Sequence, residues 1–470
     1  MSKVLAPTGR PLPRAGRASP AAARGFSCSP EHLRELAQLV LARARHIGAS
    51  ACDCDVSESY GLSVTVRKGK PDVIEHNRDR SVGVSVYIGE RPRARRGHAS
   101  TSDFSRQALE QTVDAAAAIA RQTAEDDCAG LPDPERLARE VPDLDLFHPW
   151  ALATEEAIAI AQSCEAAAFR VSPRVRNSEG ATVSAQHSQF VAANSLGFMG
   201  GYPGTRHYLA CSVIAEDKGL MQRDDWYSAS RVPGELADPQ ALGRYAAERA
   251  LARLGARKIP TCKAPVLFEA PAAIQLLGHF VSAASGGNLY RRTSFLLDAL
   301  GKPVFSPLVR IEERPHEPRG LASTPFDEEG VATSERVVVD EGVLDGYFLG
   351  SYAARKLGLK STGNAGGHHN LVVRSSGPDF RGMLRELGRG LLVTELLGQG
   401  VNLVTGDYSR GAAGYWVEGG EIQFPVEEIT IAGNLRDMYR GIAAIGSDVL
   451  VRSGRACGSI LVESMTIAGA

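Results

Sequence analysis

Apolar positions switch between two periods along this chain, and the switches divide it. Ser29-Pro30-Glu31 supplies a capping hydroxyl, a proline at the first helical position and an acid, and Leu33, Leu36, Leu39 and Val40 then recur at helical spacing until about Gly48. Alternation takes over at Leu62, Val64, Val66 and at Val82, Val84, Val86, which predicts antiparallel strands with one wet face. Apolar stripes predict helices over about 105–123 and 155–170. From about 172 to 230 alternation returns. Asn177-Ser178-Glu179-Gly180 and Asn194-Ser195-Leu196-Gly197 read as turns in it, since Asn and Gly accept positive φ at low cost. A helix over about 239–256 and the connector Arg257-Lys258-Ile259-Pro260 close this N-terminal region.

The remainder is strand- and glycine-rich. A strand over 264–268 feeds an apolar helix, and residues 336–339 turn at Glu341-Gly342 into 343–348. Further strands are expected at 390–397, 401–405, 414–418, 421–425 and 459–462, with a helix capped by Asn434 running through Leu435, Met438, Ile442 and Ile445. So many short strands with close turns predict a curved antiparallel sheet or barrel. The expected class is α+β: a tail over 1–30, an N-terminal α+β domain over 31–258 and a β-rich C-terminal domain over 259–470.

Length and composition change this picture little. At 470 residues the chain readily buries a core, and 43% hydrophobic with 23% charged residues is ordinary for a globular protein. A formal net charge of −1 gives no global pull toward nucleic acid or an anionic membrane surface. Eight scattered cysteines without a CxxC pair suit a reducing, cytoplasmic setting. The uncharged run 270–290 is long enough to span a bilayer, but Pro271, Gln275, His279, Asn288 and its glycines favour a buried helix and turn. The first thirty residues carry five basic residues and no acid, which fits a tail.

Candidate chemistry is sparse. There is no GxSxG elbow, no GxxxxGK[ST] loop and no GxGxxG after a strand. The helix after 264–268 reads Ile274-Gln275-Leu276-Leu277-Gly278-His279. A His-Glu-x-x-x-His zinc hydrolase needs His at 274 and Glu at 275, and only His279 is present. Ligands five apart lie about 140° apart on a regular helix and need a wide turn, which Gly278 would ease. Gly363-Asn364-Ala365-Gly366-Gly367-His368-His369-Asn370 offers two imidazoles, but neighbours on a strand face opposite ways. His279, His368, His369 and Cys457 are the candidate metal ligands. Gly400, Gly406, Asp407, Tyr408, Ser409 and Arg410 are candidates for a groove or open edge where an extended peptide adds as a strand, although tight turns explain the same glycines.

Several stretches together resemble the TldD/PmbA family of metallopeptidases. They are Leu321-Ala322-Ser323-Thr324-Pro325-Phe326-Asp327-Glu328-Glu329-Gly330-Val331, residues 354–363, residues 406–414, Ile429-Thr430-Ile431-Ala432-Gly433-Asn434-Leu435, Cys457-Gly458-Ser459-Ile460-Leu461 and Ile467-Ala468-Gly469. The resemblance runs from about residue 35 to the end. It implies an N-terminal α/β region and a β-rich C-terminal region enclosing a cavity. In the TldD branch, His-Glu-x-x-x-His and a cysteine near the C-terminus serve zinc; laid on this chain, those positions are Ile274, Gln275, His279 and Cys457. Ile274 and Gln275 thus replace the family's His and Glu, as in the PmbA (TldE) branch. That branch pairs with a TldD subunit that holds the zinc, and the complex cleaves unstructured peptides such as a bacteriocin leader or an antitoxin. The resemblance therefore implies no cofactor in this chain, a TldD-type partner and a peptide substrate; the balanced charge and the interrupted apolar run point to neither nucleic acid nor membrane as a partner. Two other readings stand beside it: an autonomous homodimeric metallopeptidase using His279, His368 or His369, and Cys457, or a scaffold or regulator.

Overall fold

A computed structural model describes residues 25–469, which form two compact units. Residues up to Leu251 together with Pro325–Thr333 make the first, and Ala252–Thr324 with Ser334 onward the second. Most of the tail expected over 1–30 lies outside the described residues. Ser27 and Cys28 are held instead, their backbone N–H groups donating to the Glu58 carboxylate at 2.9 and 3.1 Å.

The first unit is built on an antiparallel half-barrel sheet. Its order is Arg95–Thr101, Lys70–Ile88, Ala51–Arg67, Val175–Asn194, Pro203–Asp217 and Leu220–Ser230. Helices Pro30–His46 and Arg106–Gln122 lay Leu33, Leu36, Val40, Leu109 and Val113 on Val56, Val82, Val84 and Val86. Each is capped by a serine, Ser29 and Ser105, whose Oγ accepts from a first-turn N–H. The residues expected to turn at 177–180 lie within a strand: the register against Pro203–Asp217 slips at Asn177 and again at Gly180, a bulge rather than a reversal. Asn194 to Gly197 does turn, with Gly197 at φ +96°. Phe326, far on in sequence, belongs to this unit and packs on Phe198 at 5.1 Å between ring centroids.

In the second unit one sheet closes on itself. The strands Glu421–Asn434, Asp407–Glu418, Gly390–Leu397, Cys262–Phe268 and Ile460–Ala468 pair in that order, and the last returns to the first through Thr430–Ala468, Ile431–Ile467 and Ala432–Thr466. Alternate residues divide between two cores: Val266 and Phe268 pack with the helix Ala270–Ala283, while Leu267 and Leu392 meet Met383 and Leu384 of the helix Phe380–Leu387. A second sheet carries Ile311–Glu313, Leu371–Val373 and Arg455–Cys457.

Three local expectations are corrected here. Residues 401–405 are not a strand; only Val401 bridges, to Tyr408, and Gly406 N–H closes a turn on the Asn402 carbonyl at 2.8 Å. Residues 406–414 lie largely in a strand, and Gly414 is glycine because a Cβ there would sit 1.8 Å from the Leu392 carbonyl oxygen. The helix after Asn434 ends at Arg440, and Ile442–Ile445 pairs as a strand with Ile460–Ala468. Apolar residues at 442 and 445 fit either period, and sheet pairing decides.

Candidate functional site

The helix Ala270–Ala283 begins right after the strand Cys262–Phe268, with Pro271 in its first turn. Ile274, Leu276, Leu277 and Phe280 are buried, whereas Gln275 is exposed and His279 partly so. The helix is thus buried along most of its length, with Gln275 its exposed position. It is also a regular α-helix through Gly278, so no wide turn forms there. Gly278 has another reason to be glycine: a Cβ would lie 2.9 Å from Arg455 Nη1. The missing side chain lets a guanidinium approach the helix.

That approach defines the site. Arg455, at the start of a short strand, donates from Nη1 to the Ile274 carbonyl (3.2 Å) and from Nε to His368 Nε2 (2.8 Å). Arg410, on the barrel strand Asp407–Glu418, donates from Nη1 to Gln275 Oε1 (3.4 Å) and from Nε and Nη2 to the Leu397 and Leu396 carbonyls. Of the two positions where the zinc motif would have its first His and its Glu, the first thus meets Arg455 through its backbone carbonyl and the second meets Arg410 through its side chain. His279 lies near both charges, and burial together with Arg410 and Arg455 lowers its pKa to about 4. Its Nε2 is buried with no hydrogen-bond partner among the described residues. Tyr408 packs edge-on against it at 5.9 Å, and burial raises the phenol to about 12 with its hydroxyl also unpartnered.

The other candidate ligands are engaged elsewhere. His368 Nε2 accepts from Arg455, and burial plus that charge lowers its pKa to about 4. His369 Nε2 donates to the Gly363 carbonyl at 2.8 Å. The Cys457 thiol is fully buried, which pushes its pKa up, and Sγ donates to the Gly458 carbonyl at 3.2 Å. A catalytic zinc needs three deprotonated ligands, so this donor set, with two guanidinium groups beside the His279 imidazole, does not fit it. Among the described residues, the metal-ligating side chains that do gather are Asp126, Asp127 and Cys128 in the first unit, ligand atoms within 4.8 Å of one another.

The peptide-groove residues are brought together, but their edge is taken. Ser409 N–H donates to the Gly400 carbonyl (2.7 Å) and Asn402 N–H to the Asp407 carbonyl (2.9 Å). A Cβ on Gly400 would sit 1.8 Å from the Ser409 carbonyl oxygen, so its smallness serves the chain's own backbone. Gly406, at φ +86°, lies against the Asn434 side chain. Asp407 and Ser409 expose their side chains while Tyr408 and Arg410 point into the core. The edge expected to be open is thus closed by residues 400–402. Sequence reasoning overlooked Arg455 and placed Arg410 in a groove. The available signal was Gly278, since a glycine inside a buried helix marks a close approach.

Comparisons with known proteins agree over nearly the whole chain. Family models described as PmbA/TldA metallopeptidase domain 1, central domain and C-terminal domain match residues 52–120, 147–254 and 261–469. The chain is 49% identical over 431 residues to metalloprotease PmbA of Escherichia coli O157:H7, covering 92% of this chain and 94% of that protein. Among solved structures it resembles a candidate modulator of DNA gyrase from Bacteroides thetaiotaomicron (TM-score 0.88, 26% identity, 94% of this chain and 100% of that one). It shares its fold with TldE from Thermococcus kodakarensis (TM-score 0.80, 20% identity, 93% and 100% covered).

Proposed function

Because the chain belongs to the PmbA/TldD metallopeptidase family, we propose that it is the PmbA/TldE-type subunit of a cytoplasmic TldD–TldE zinc metallopeptidase complex. The complex cleaves unstructured peptides of the bacteriocin-leader or antitoxin kind, and the TldD partner holds the zinc. One observation carries this reading: the segment Ile274–His279 offers neither a second ligand nor a base, and the cations Arg410 and Arg455 bond the Gln275 side chain and the Ile274 carbonyl beside His279. Gln275 cannot take a proton from water at neutral pH. This subunit contributes a folded body that stabilises its partner and aligns an extended peptide. No described helix is long and apolar enough to cross a membrane, which is compatible with a cytoplasmic complex.

The test is zinc content and peptidase activity of the purified chain, alone and mixed with a TldD-type subunit. Activity and bound zinc should appear only in the mixture. Stoichiometric zinc with peptidase activity in the chain alone would instead establish an autonomous metallopeptidase.

A further inference from the structure

The charge pattern around His279 points to a ligand. Arg410 is buried and Arg455 half-buried, yet neither is within ion-pair distance of a carboxylate among the described residues. Every partner they have is neutral: the carbonyls of Ile274, Leu396 and Leu397, the Gln275 amide and the His368 imidazole. Burial lowers the Arg455 pKa with no acid to oppose it. Charges taken out of water are ordinarily paired or meet a ligand.

The unused hydrogen-bonding capacity has one sign. A guanidinium has five N–H donors and no acceptor, and each of these two keeps donors that nothing described accepts. The Tyr408 hydroxyl and His279 Nε2 are buried without partners, and both can donate. Tyr408 and Arg410 lie two apart on one face of their strand, and Gln275 and His279 one turn apart on the helix, with Gln275 exposed at the rim. Donors converging from a helix, a barrel strand and a second sheet are complementary to an acceptor-only ion.

We propose that Arg410, Arg455, His279 and Tyr408 form a binding site for the carboxylate of a peptide. The donors require only an oxyanion; the choice of a peptide carboxylate rests on the reading of this chain as a peptide-handling subunit. The carboxylate comes from a peptide's C-terminus or from an acidic side chain. It lies beside the helix that carries the incomplete zinc motif, where the surrounding charge is positive.

The experiment is a calorimetric titration of the purified chain without any partner, using four probes. They are a tetra-alanine peptide with a free C-terminus, the same peptide amidated, an amidated peptide carrying one glutamate, and inorganic phosphate. The free acid, the glutamate peptide or both should bind, at least about tenfold tighter than the uncharged amide. Preference for the free acid assigns the C-terminus, and preference for the glutamate peptide assigns an acidic side chain. Tyr408→Phe, which removes only an unpartnered hydroxyl, and Arg410→Gln should each weaken binding about tenfold in protein that melts like the parent. Binding of phosphate alone, equal binding of the acids and the amide, no binding at millimolar probe, or unchanged affinity in both folded variants would overturn the proposal. Since no partner is present, the titration can fail while partner-dependent peptidase activity stands, and the reverse.

Discussion

Two charged regions of the second unit are built on opposite plans. Around Glu313, 1% exposed, every demand is met: Oε2 accepts from Arg336 Nε (2.7 Å), and Oε1 from Asn364 Nδ2 (2.7 Å) and the His369 N–H (2.8 Å). Arg336 then reaches Asn364 Oδ1 at 3.0 Å and closes the ring. Around His279, two guanidinium groups find only neutral acceptors among the described residues, and an imidazole nitrogen and a phenol find none there. One fold therefore satisfies a buried charge fully in one place and leaves charge uncompensated in another. The first arrangement holds the unit together, and the second is poised to receive something.

The largest effect should come from breaking the closed network. Glu313→Gln leaves Arg336 without its counter-charge, and the second unit should lose about 3–5 kcal/mol in denaturant unfolding. A loss under about 1 kcal/mol would erase the distinction between the two regions. Replacing a charge that has no ionic partner should matter far less. Arg410→Met, of similar length, should shift stability by no more than about 1 kcal/mol in either direction, because relief from burying an unpaired charge offsets the lost carbonyl contacts.

The smallest effect is a slope. His279 and His368 have folded pKa values of about 4, below the ordinary histidine value near 6.5. Between those values the unfolded chain binds more protons than the folded one. Their contribution to stability is thus complete above about pH 6.5 and is lost as the pH falls toward 4. The melting temperature should fall over that window. Arg455→Met should flatten the fall, because Arg455 helps lower both histidines; an unchanged slope would mean that Arg455 plays no part in setting them.

Much of the fold could be read from residue periods. The helices Pro30–His46 and Arg106–Gln122 and the strand Gly390–Leu397 fall where capping, helical spacing and apolar runs place them. Where expectation failed, both periods or both backbone states were available: Ile442 and Ile445 suit helix or strand, and Asn177–Gly180 suits turn or bulge. The site was less legible. Ile274 and Gln275 could be read as a departure from a zinc motif, but Arg455, 181 residues away from Ile274, could not be placed.

By itself the sequence determined the secondary periods, the α+β class and the absence of a complete His-Glu-x-x-x-His on the helix, because local propensity and residue identity need no partner. The barrel's closure, the capture of residues 325–333 by the first unit and the two arginines beside His279 were decided only in three dimensions. Each depends on pairing distant segments, and burial and charge in a pocket are properties of the neighbours a residue acquires, not of its place in the chain.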